Sequence, residues 1–316
     1  MSADAASSPI PVTIIGGYLG AGKTTLVNHL LRQADGLRIA VLVNDFGDLP
    51  IDADLIESQD DKIISIAGGC VCCSFGSDLI TALWELRDMQ PRPEHLLVEA
   101  SGVALPGMIA ESVSLVAEFR LDCIVVLADA ETVHERSLQT YSADTIHRQL
   151  SCADLIVLNK CDLPSPSDVA ETETWLKTVF PNAACLRTEG AKVPLDLLTD
   201  RHAANELADA RHRAGKKDSA HHPAYASALL EFPRGVDPVT VARALAHADN
   251  GLLRSKGHVE SFDGSICTVQ TVGRRFEVRP SPRGVDNVGK VIVIAPEGLA
   301  AIGALSDAMG CRVVGG

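Results

Sequence analysis

No stretch of this 316-residue chain reaches the roughly 20 consecutive apolar residues that a membrane-spanning helix needs. The start, Met1–Pro9, is small and polar and lacks the basic–apolar pattern of a secretion signal, so a cytoplasmic protein is expected. Positive charge is also in short supply. Against 41 Asp and Glu stand 28 Lys and Arg, a net charge of -13 at pH 7, which argues against general binding to nucleic acid or to an anionic membrane. There is no internal repeat, and only one biased stretch, a basic linker near residues 200–224. What the chain does have is an apolar fraction of 46%, enough to fill two ordinary cores, and nine cysteines. Without a signal peptide those cysteines suggest reduced thiols or metal ligands rather than a disulfide framework.

After a leader at residues 1–10, expected to be disordered, strands and helices alternate. The expected strands are Val12–Ile15, Arg38–Val43, Lys62–Ile66, His95–Glu99, Cys123–Ala128 and Asp154–Leu158, most of them β-branched runs of the kind buried on both faces. Helices are expected at Thr25–Leu31, Asp78–Arg87 and Asp168–Val179. The alternation predicts an α/β domain over residues 11–199 with a mostly parallel sheet, helices on both faces and ligands at the carboxyl ends of the strands. Beyond the linker, strands at Ala226–Phe232, Leu252–Ser261, Ser265–Val272, Arg275–Val278 and Lys290–Ile294, with helices at Pro238–Ala248 and Pro296–Ala308, predict a smaller α+β domain over residues 225–316. The linker's scattered histidines read as a solvated connector, with metal binding secondary.

The densest signal follows the first strand. Gly17, four residues, then Gly22-Lys23-Thr24 has the spacing of a phosphate-binding loop, in which small residues such as Gly20 and Ala21 let backbone N–H groups turn toward phosphate oxygens. Lys23 would reach the β and γ phosphates, and the Thr24 hydroxyl would ligate magnesium. Thr25 opens a helix whose N-terminus adds partial positive charge. A glycine-rich surface turn is the plain alternative. Farther on, Leu158-Asn159-Lys160-Cys161-Asp162 ends a strand. The Asp162 carboxylate can accept from guanine N1–H and the exocyclic amine, which selects GTP over ATP; Lys160 can lie along the base, and Asn159 can tie this loop to the phosphate loop. Between them, Glu99-Ala100-Ser101-Gly102 reads as a γ-phosphate sensor, with Glu99 on magnesium and the Gly102 N–H on phosphate. Asn44-Asp45-Phe46-Gly47-Asp48 reads as a first switch whose carboxylates could orient water or a metal; ordinary turn chemistry is the alternative.

The third signal is Gly68-Gly69-Cys70-Val71-Cys72-Cys73. Three thiols within four residues suit a soft or borderline ion, and Zn²⁺ held by Cys70, Cys72 and Cys73 leaves a fourth position for water, another side chain or a recipient's ligand. Cys70 and Cys73 also form Cys-x-x-Cys, so a redox pair stands as one rival and buried inert thiols as another. Cys123, Cys152, Cys161, Cys185, Cys267 and Cys311 lie singly and read as small core residues.

Taken together, Gly17–Thr25, Asn44–Gly47, Gly69–Cys73, Glu99–Gly102 and Leu158–Asp162 resemble the CobW family of GTPases, which includes cobalamin-synthesis proteins, nitrile hydratase activators and zinc chaperones. The resemblance implies a metallochaperone: a slow GTPase, with Lys23, Asp45 and Glu99 as catalytic candidates, that binds zinc or cobalt through the clustered cysteines. Hydrolysis to GDP would release the metal to a client metalloprotein, from a monomer or homodimer. The chain departs from the family at Asp45 and Asp48, where Glu is usual. It also has no rich histidine tract and no acidic-proline client motif within Met1–Pro11. A thiol redox or interaction switch, and less so a phosphotransferase, are the readings from other classes.

Overall fold

The computed structural model describes residues 8–34, 36–44, 64–68, 77–199, 225–247, 250–282, 284–285, 287–296, 302, 306 and 309–314. The chain divides into two compact units, one comprising Met1–Ala153, Val157–Val169 and Thr188–Arg201, the other Asp154–Ile156, Ala170–Arg187 and His202–Gly316.

The N-terminal part is built on β1 (Ile10–Gly17), α1 (Lys23–Arg32), β2 (Ile39–Asn44), β3 (Ile64–Gly68), α2 (Ser77–Asp88), β4 (His95–Glu99), α3 (Pro106–Ser114), β5 (Phe119–Asp129), α4 (Val133–Arg136), α5 (Ala143–Ser151), β6 (Leu155–Asn159), α6 (Pro166–Val179), β7 (Ala184–Arg187) and α7 (Leu195–Leu198). The strands form one sheet in the order β3-β2-β4-β1-β5-β6-β7, and β1 pairs in parallel with both β4 and β5. All eight residues of β1 and all five of β4 are buried, as a parallel sheet covered on both faces requires. One polar tie crosses this core: Thr13 Oγ1 donates to Leu198 O at 2.6 Å and meets His95 Nε2 at 3.0 Å, so a buried hydroxyl and imidazole are both bonded. Helix α1 turns Leu26, Val27, Leu30 and Leu31 to the core at helical spacing, each contributing about 1.5–3 kcal/mol of transfer free energy.

Most element boundaries differ from the sequence reading by a residue or two, and two strand starts have their reason in the pairing of β1 with β5. The first strand starts at Ile10 rather than Val12, because Ile10 pairs with Phe119. The fifth runs from Phe119, four residues before the expected Cys123, since β1 offers a partner along its whole length; the register shifts between Val12 and Thr13.

In the second unit, β8 (Tyr225–Glu231), α8 (Pro238–Leu245), β9 (Arg254–Glu260), β10 (Ile266–Val272), β11 (Arg275–Pro280), β12 (Lys290–Pro296) and β13 (Arg312–Val313) follow. Their sheet has the order β11-β10-β9-β12-β8-β13 and its paired strands are antiparallel. Asp237 caps α8 by accepting from Val239 N at 3.2 Å, and Pro238 opens the helix where its missing N–H costs nothing. Val241, Ala242 and Leu245 then pack on Val259, Val269, Val291 and Val293 of the sheet. Of the expected helix 296–308, Pro296 instead ends β12, Ile302 and Ser306 are helical, and the intervening residues lie outside the described set. Linker 200–224 lies outside it too. Among the described residues no helix is long and apolar enough to cross a membrane.

Candidate nucleotide-binding site

The site lies at the carboxyl end of β1, in the middle of the first sheet. Strand β1 stops at Gly17 and α1 begins at Lys23, and between them the chain needs backbone shapes that ordinary residues avoid. Gly17 and Gly22 have φ of 137° and 104°. Space forbids a side chain at either. A Cβ on Gly17 would lie 2.5 Å from Leu127 O, and one on Gly22 would lie 2.6 Å from Asn159 Nδ2. Ala21 N closes the turn on Tyr18 O at 3.1 Å. The first turn of α1 carries no acidic residue, so the helix N-terminus is left to an anion.

Parallel register brings β4 alongside. Glu99 pairs with Ile15, and Ala100 N donates to Ile15 O at 2.9 Å. This sets the Glu99 carboxylate, 2% exposed, against the first turn of α1, where Thr24 Oγ1 donates to its Oε1 at 2.7 Å. A hydroxyl and a carboxylate at one edge of a cleft are the hard oxygen donors that magnesium prefers, so the residues present fit that ion. The cleft has a volume of about 710 Å³; Gly20, Gly22, Lys23, Thr24 and Thr25 line it from the phosphate loop and α1, and Glu99, Ser101 and Gly102 from the end of β4 and the loop after it. Leu19 packs closely on Gly102: a Cβ there would lie 2.4 Å from Leu19 Cδ2 and 3.0 Å from Leu19 N, so the leucine side chain would have to shift. Gly17 and Ala21 do not line the cleft. They shape the loop from its ends.

The loop after β6 is held by Asn159, which is 2% exposed. Its Nδ2 donates to Ala21 O at 3.0 Å, while its Oδ1 accepts from Thr188 Oγ1 at 3.1 Å and Ala191 N at 2.8 Å. One side chain thus joins the phosphate loop, the loop after β6 and the loop after β7. Lys160 takes a left-handed backbone shape, φ 62°, and its Nζ lies 2.7 Å from Asp129 Oδ2 at the end of β5. Cys161 N donates to Thr188 O at 3.1 Å, and Asp162 follows with an exposed side chain. Thr188 and Ala191 were not singled out in the sequence; the Gly190-Ala191 pair, both at positive φ after a short strand, is the local signal.

Asp45, Phe46, Gly47, Asp48, Cys70, Cys72 and Cys73 lie outside the described residues. The strands that lead to them do not. Asn44 and Gly68, the last residues of β2 and β3, are directly paired, so the chain leaves the sheet toward residues 45 and 69 from adjacent points. Among the described residues no cluster of His, Cys, Asp or Glu is grouped to hold a metal, and the six described cysteines form no disulfide there.

A glycine-shaped phosphate loop, a hydroxyl–carboxylate pair beside it and a braced Asn-Lys-x-Asp loop on one parallel sheet define a P-loop GTPase. The chain belongs to the CobW/HypB/UreG family, whose nucleotide-binding domain matches residues 11–187. It is similar to the zinc chaperone CobW of Sinorhizobium sp, 30% identical over 320 residues that span 87% of this chain and 89% of that protein. It is also 35% identical over 169 residues to the zinc chaperone YjiA of Escherichia coli K12, spanning 51% of this chain and 52% of that one. With the zinc-regulated GTPase metalloprotein activator 1 of Dictyostelium discoideum, 31% identity extends over 59% of this chain and 47% of that protein. Among solved structures, the Zn(II)-bound YjiA GTPase from E. coli aligns over 97% of this chain and 100% of its own, at 22% identity and a TM-score of 0.42.

Proposed function

We propose that this GTPase is a zinc metallochaperone: it carries Zn²⁺ as cargo on Cys70, Cys72 and Cys73 and gives it up to a client metalloprotein when GTP is hydrolysed. The observation that carries the coupling is the pairing of Asn44 with Gly68, which starts the proposed switch and the cysteine loop side by side. Sheet order then leads from β3 through β2 and β4 to β1, where the phosphate loop begins. Relatives named zinc chaperones and a zinc-regulated GTPase activator support zinc over cobalt.

In this reading residues 11–199 form the GTPase domain and residues 225–316 the smaller one. Lys23 and the N–H groups of the phosphate loop hold the β and γ phosphates. Thr24 and Glu99 would hold magnesium, which neutralises charge on the phosphates. Gly102 N–H meets the γ-phosphate, and Asp45 orients the attacking water. Water adds at the γ-phosphorus, the bond to the β-phosphate oxygen breaks, and GDP and phosphate leave. Asp162 accepts from guanine, braced through Asn159. Hydrolysis is slow, the protein works in the cytoplasm as a monomer or homodimer, and its partner is a protein rather than a nucleic acid or a membrane.

The test is titration of the reduced chain with Zn²⁺ and with Co²⁺, in magnesium with a non-hydrolysable GTP analogue and again with GDP. Binding that is tight with the analogue and weaker with GDP is expected, and Cys72→Ala should abolish it while hydrolysis persists. Binding absent in both states, together with a Cys70–Cys73 disulfide found by mass spectrometry, would replace the chaperone by a thiol switch.

A further inference from the structure

The segment between β5 and β6 belongs to none of the motifs above, yet it grips both the phosphate loop and the loop after β4, which line the cleft. Arg136, the last residue of α4, donates from Nη1 to Leu19 O at 3.3 Å, and its guanidinium lies over the Tyr18 ring, 5.6 Å from the centroid. Gln149, in the last turn of α5, is 1% exposed. Its Nε2 donates to Gly102 O at 3.2 Å and to Ala104 O at 2.8 Å.

A buried side-chain amide is costly unless its hydrogens are bonded, and here both go to one loop. The direction of a peptide N–H follows from the φ and ψ values on either side of it, and glycine resists reorientation least. Gly102 is therefore the residue of the sensor loop whose N–H most needs an external constraint. Gln149 supplies one by fixing the carbonyls on either side of Val103. Two further contacts complete the constraint: Ala104 N closes a turn on Ser101 O at 3.0 Å, and Leu19 packs over Gly102. Because Arg136 holds the carbonyl of that same Leu19, the two braces meet at the contact between the phosphate loop and the sensor loop.

We propose that Gln149 is a positioning residue for GTP hydrolysis, holding the Gly102 N–H in line with the γ-phosphate, with Arg136 bracing the phosphate loop. The proposal rests on the reading of Gly102 as the γ-phosphate contact. Removing the amide should therefore affect the γ-phosphate selectively, and leave the grip on the diphosphate, made by the glycine loop and α1, nearly intact.

The experiment compares the full chain with Gln149→Leu, Gln149→Glu and Gly102→Ala. For each, affinity for GDP and for a non-hydrolysable GTP analogue is measured in magnesium, alongside the single-turnover hydrolysis rate. Gln149→Leu should bind GDP within about threefold of the wild type, lose its preference for the analogue, and hydrolyse GTP about 10²-fold more slowly. In Gln149→Glu the neutral acid can still donate to Ala104 O, whereas the carboxylate repels both carbonyls. Its hydrolysis should therefore fall as pH rises through the carboxyl titration, a limb the wild type lacks. Wild-type hydrolysis and selectivity in Gln149→Leu would overturn the proposal, as would equal weakening of GDP and analogue. A flat pH profile in Gln149→Glu overturns it even if the leucine variant fails to fold. If Gly102→Ala keeps the preference for the analogue, the sensor reading fails instead, independently of Gln149.

Discussion

The Thr24 hydroxyl donates to Oε1 of Glu99 at 2.7 Å, joining the first turn of α1 to the end of β4. The two residues are 75 positions apart, and the parallel pairing of Ile15 with Glu99 brings them together. If the pair serves magnesium, removing the hydroxyl at constant shape should weaken nucleotide binding only when the ion is present. Thr24→Val is expected to lose about 10- to 100-fold in GTP affinity in magnesium, or about 1.4–2.8 kcal/mol, and little in a chelator. Fluorescent-nucleotide titration with and without magnesium measures both. An equal loss in the two conditions would reduce Thr24 to a packing role.

From a buried position Asn159 makes three hydrogen bonds, one to the phosphate loop and two to the loop after β7. Asn159→Ala strands the Ala191 N–H and the Ala21 carbonyl away from their partner, each worth about 1–3 kcal/mol when left unbonded. We expect a loss of about 2–4 kcal/mol in the nucleotide-free protein, read from the urea midpoint, together with weaker nucleotide binding. Unchanged stability would mean that water replaces all three bonds.

The central strands were legible because burial on both faces writes an unbroken apolar run, as in Leu96-Leu97-Val98. Their ends were less so: Ile10 and Phe119 are strand residues by virtue of each other, a fact no local pattern contains. Helices α3, α4 and α5 are not announced by the sequence for a related reason. Only Pro106, Ile109 and Val113 of α3, and Ile146, Gln149 and Leu150 of α5, are buried, so the apolar periodicity is thin. The phosphate loop and the Asn159 loop are short motifs set by sterics and hydrogen bonding, which sequence records directly. Gln149, Thr188 and Arg136 act through contacts with residues at least 29 positions away, and nothing local announces them.

His258, half-buried on β9, meets Ser281 Oγ at 2.9 Å and Thr268 Oγ1 at 3.2 Å through its Nδ1. Burial first, then the positive charges of Lys256 and Arg279, hold its pKa below the ordinary imidazole value. Between the lowered value and the ordinary one the unfolded chain binds more protons than the native one. This contribution is thus full above about pH 6.5 and is lost as pH falls through the folded value. The thermal midpoint of the wild type should drop over that interval, and His258→Gln should flatten this part of the profile. A parallel profile in the variant would assign the acid sensitivity to other groups.

Asp162 stands exposed directly after Cys161, whose N–H is held by Thr188 O, and in the proposed function its carboxylate accepts from guanine. Guanine offers it two donors, N1–H and the exocyclic amine, and a carboxylate accepts both. In Asp162→Asn one oxygen becomes an NH₂ group, so a donor faces a donor and one bond is lost with its charge. At about 3 kcal/mol for a charge-assisted bond, GTP affinity should fall about 10²-fold. Xanthine carries a carbonyl in place of that amine and suits the asparagine, so affinity for xanthosine triphosphate should rise in the variant. Competition against a fluorescent guanine nucleotide reads both changes, and their opposite signs separate base reading from a general loss of the loop's shape. If both triphosphates weaken together, the carboxylate supports the loop and the base is read elsewhere.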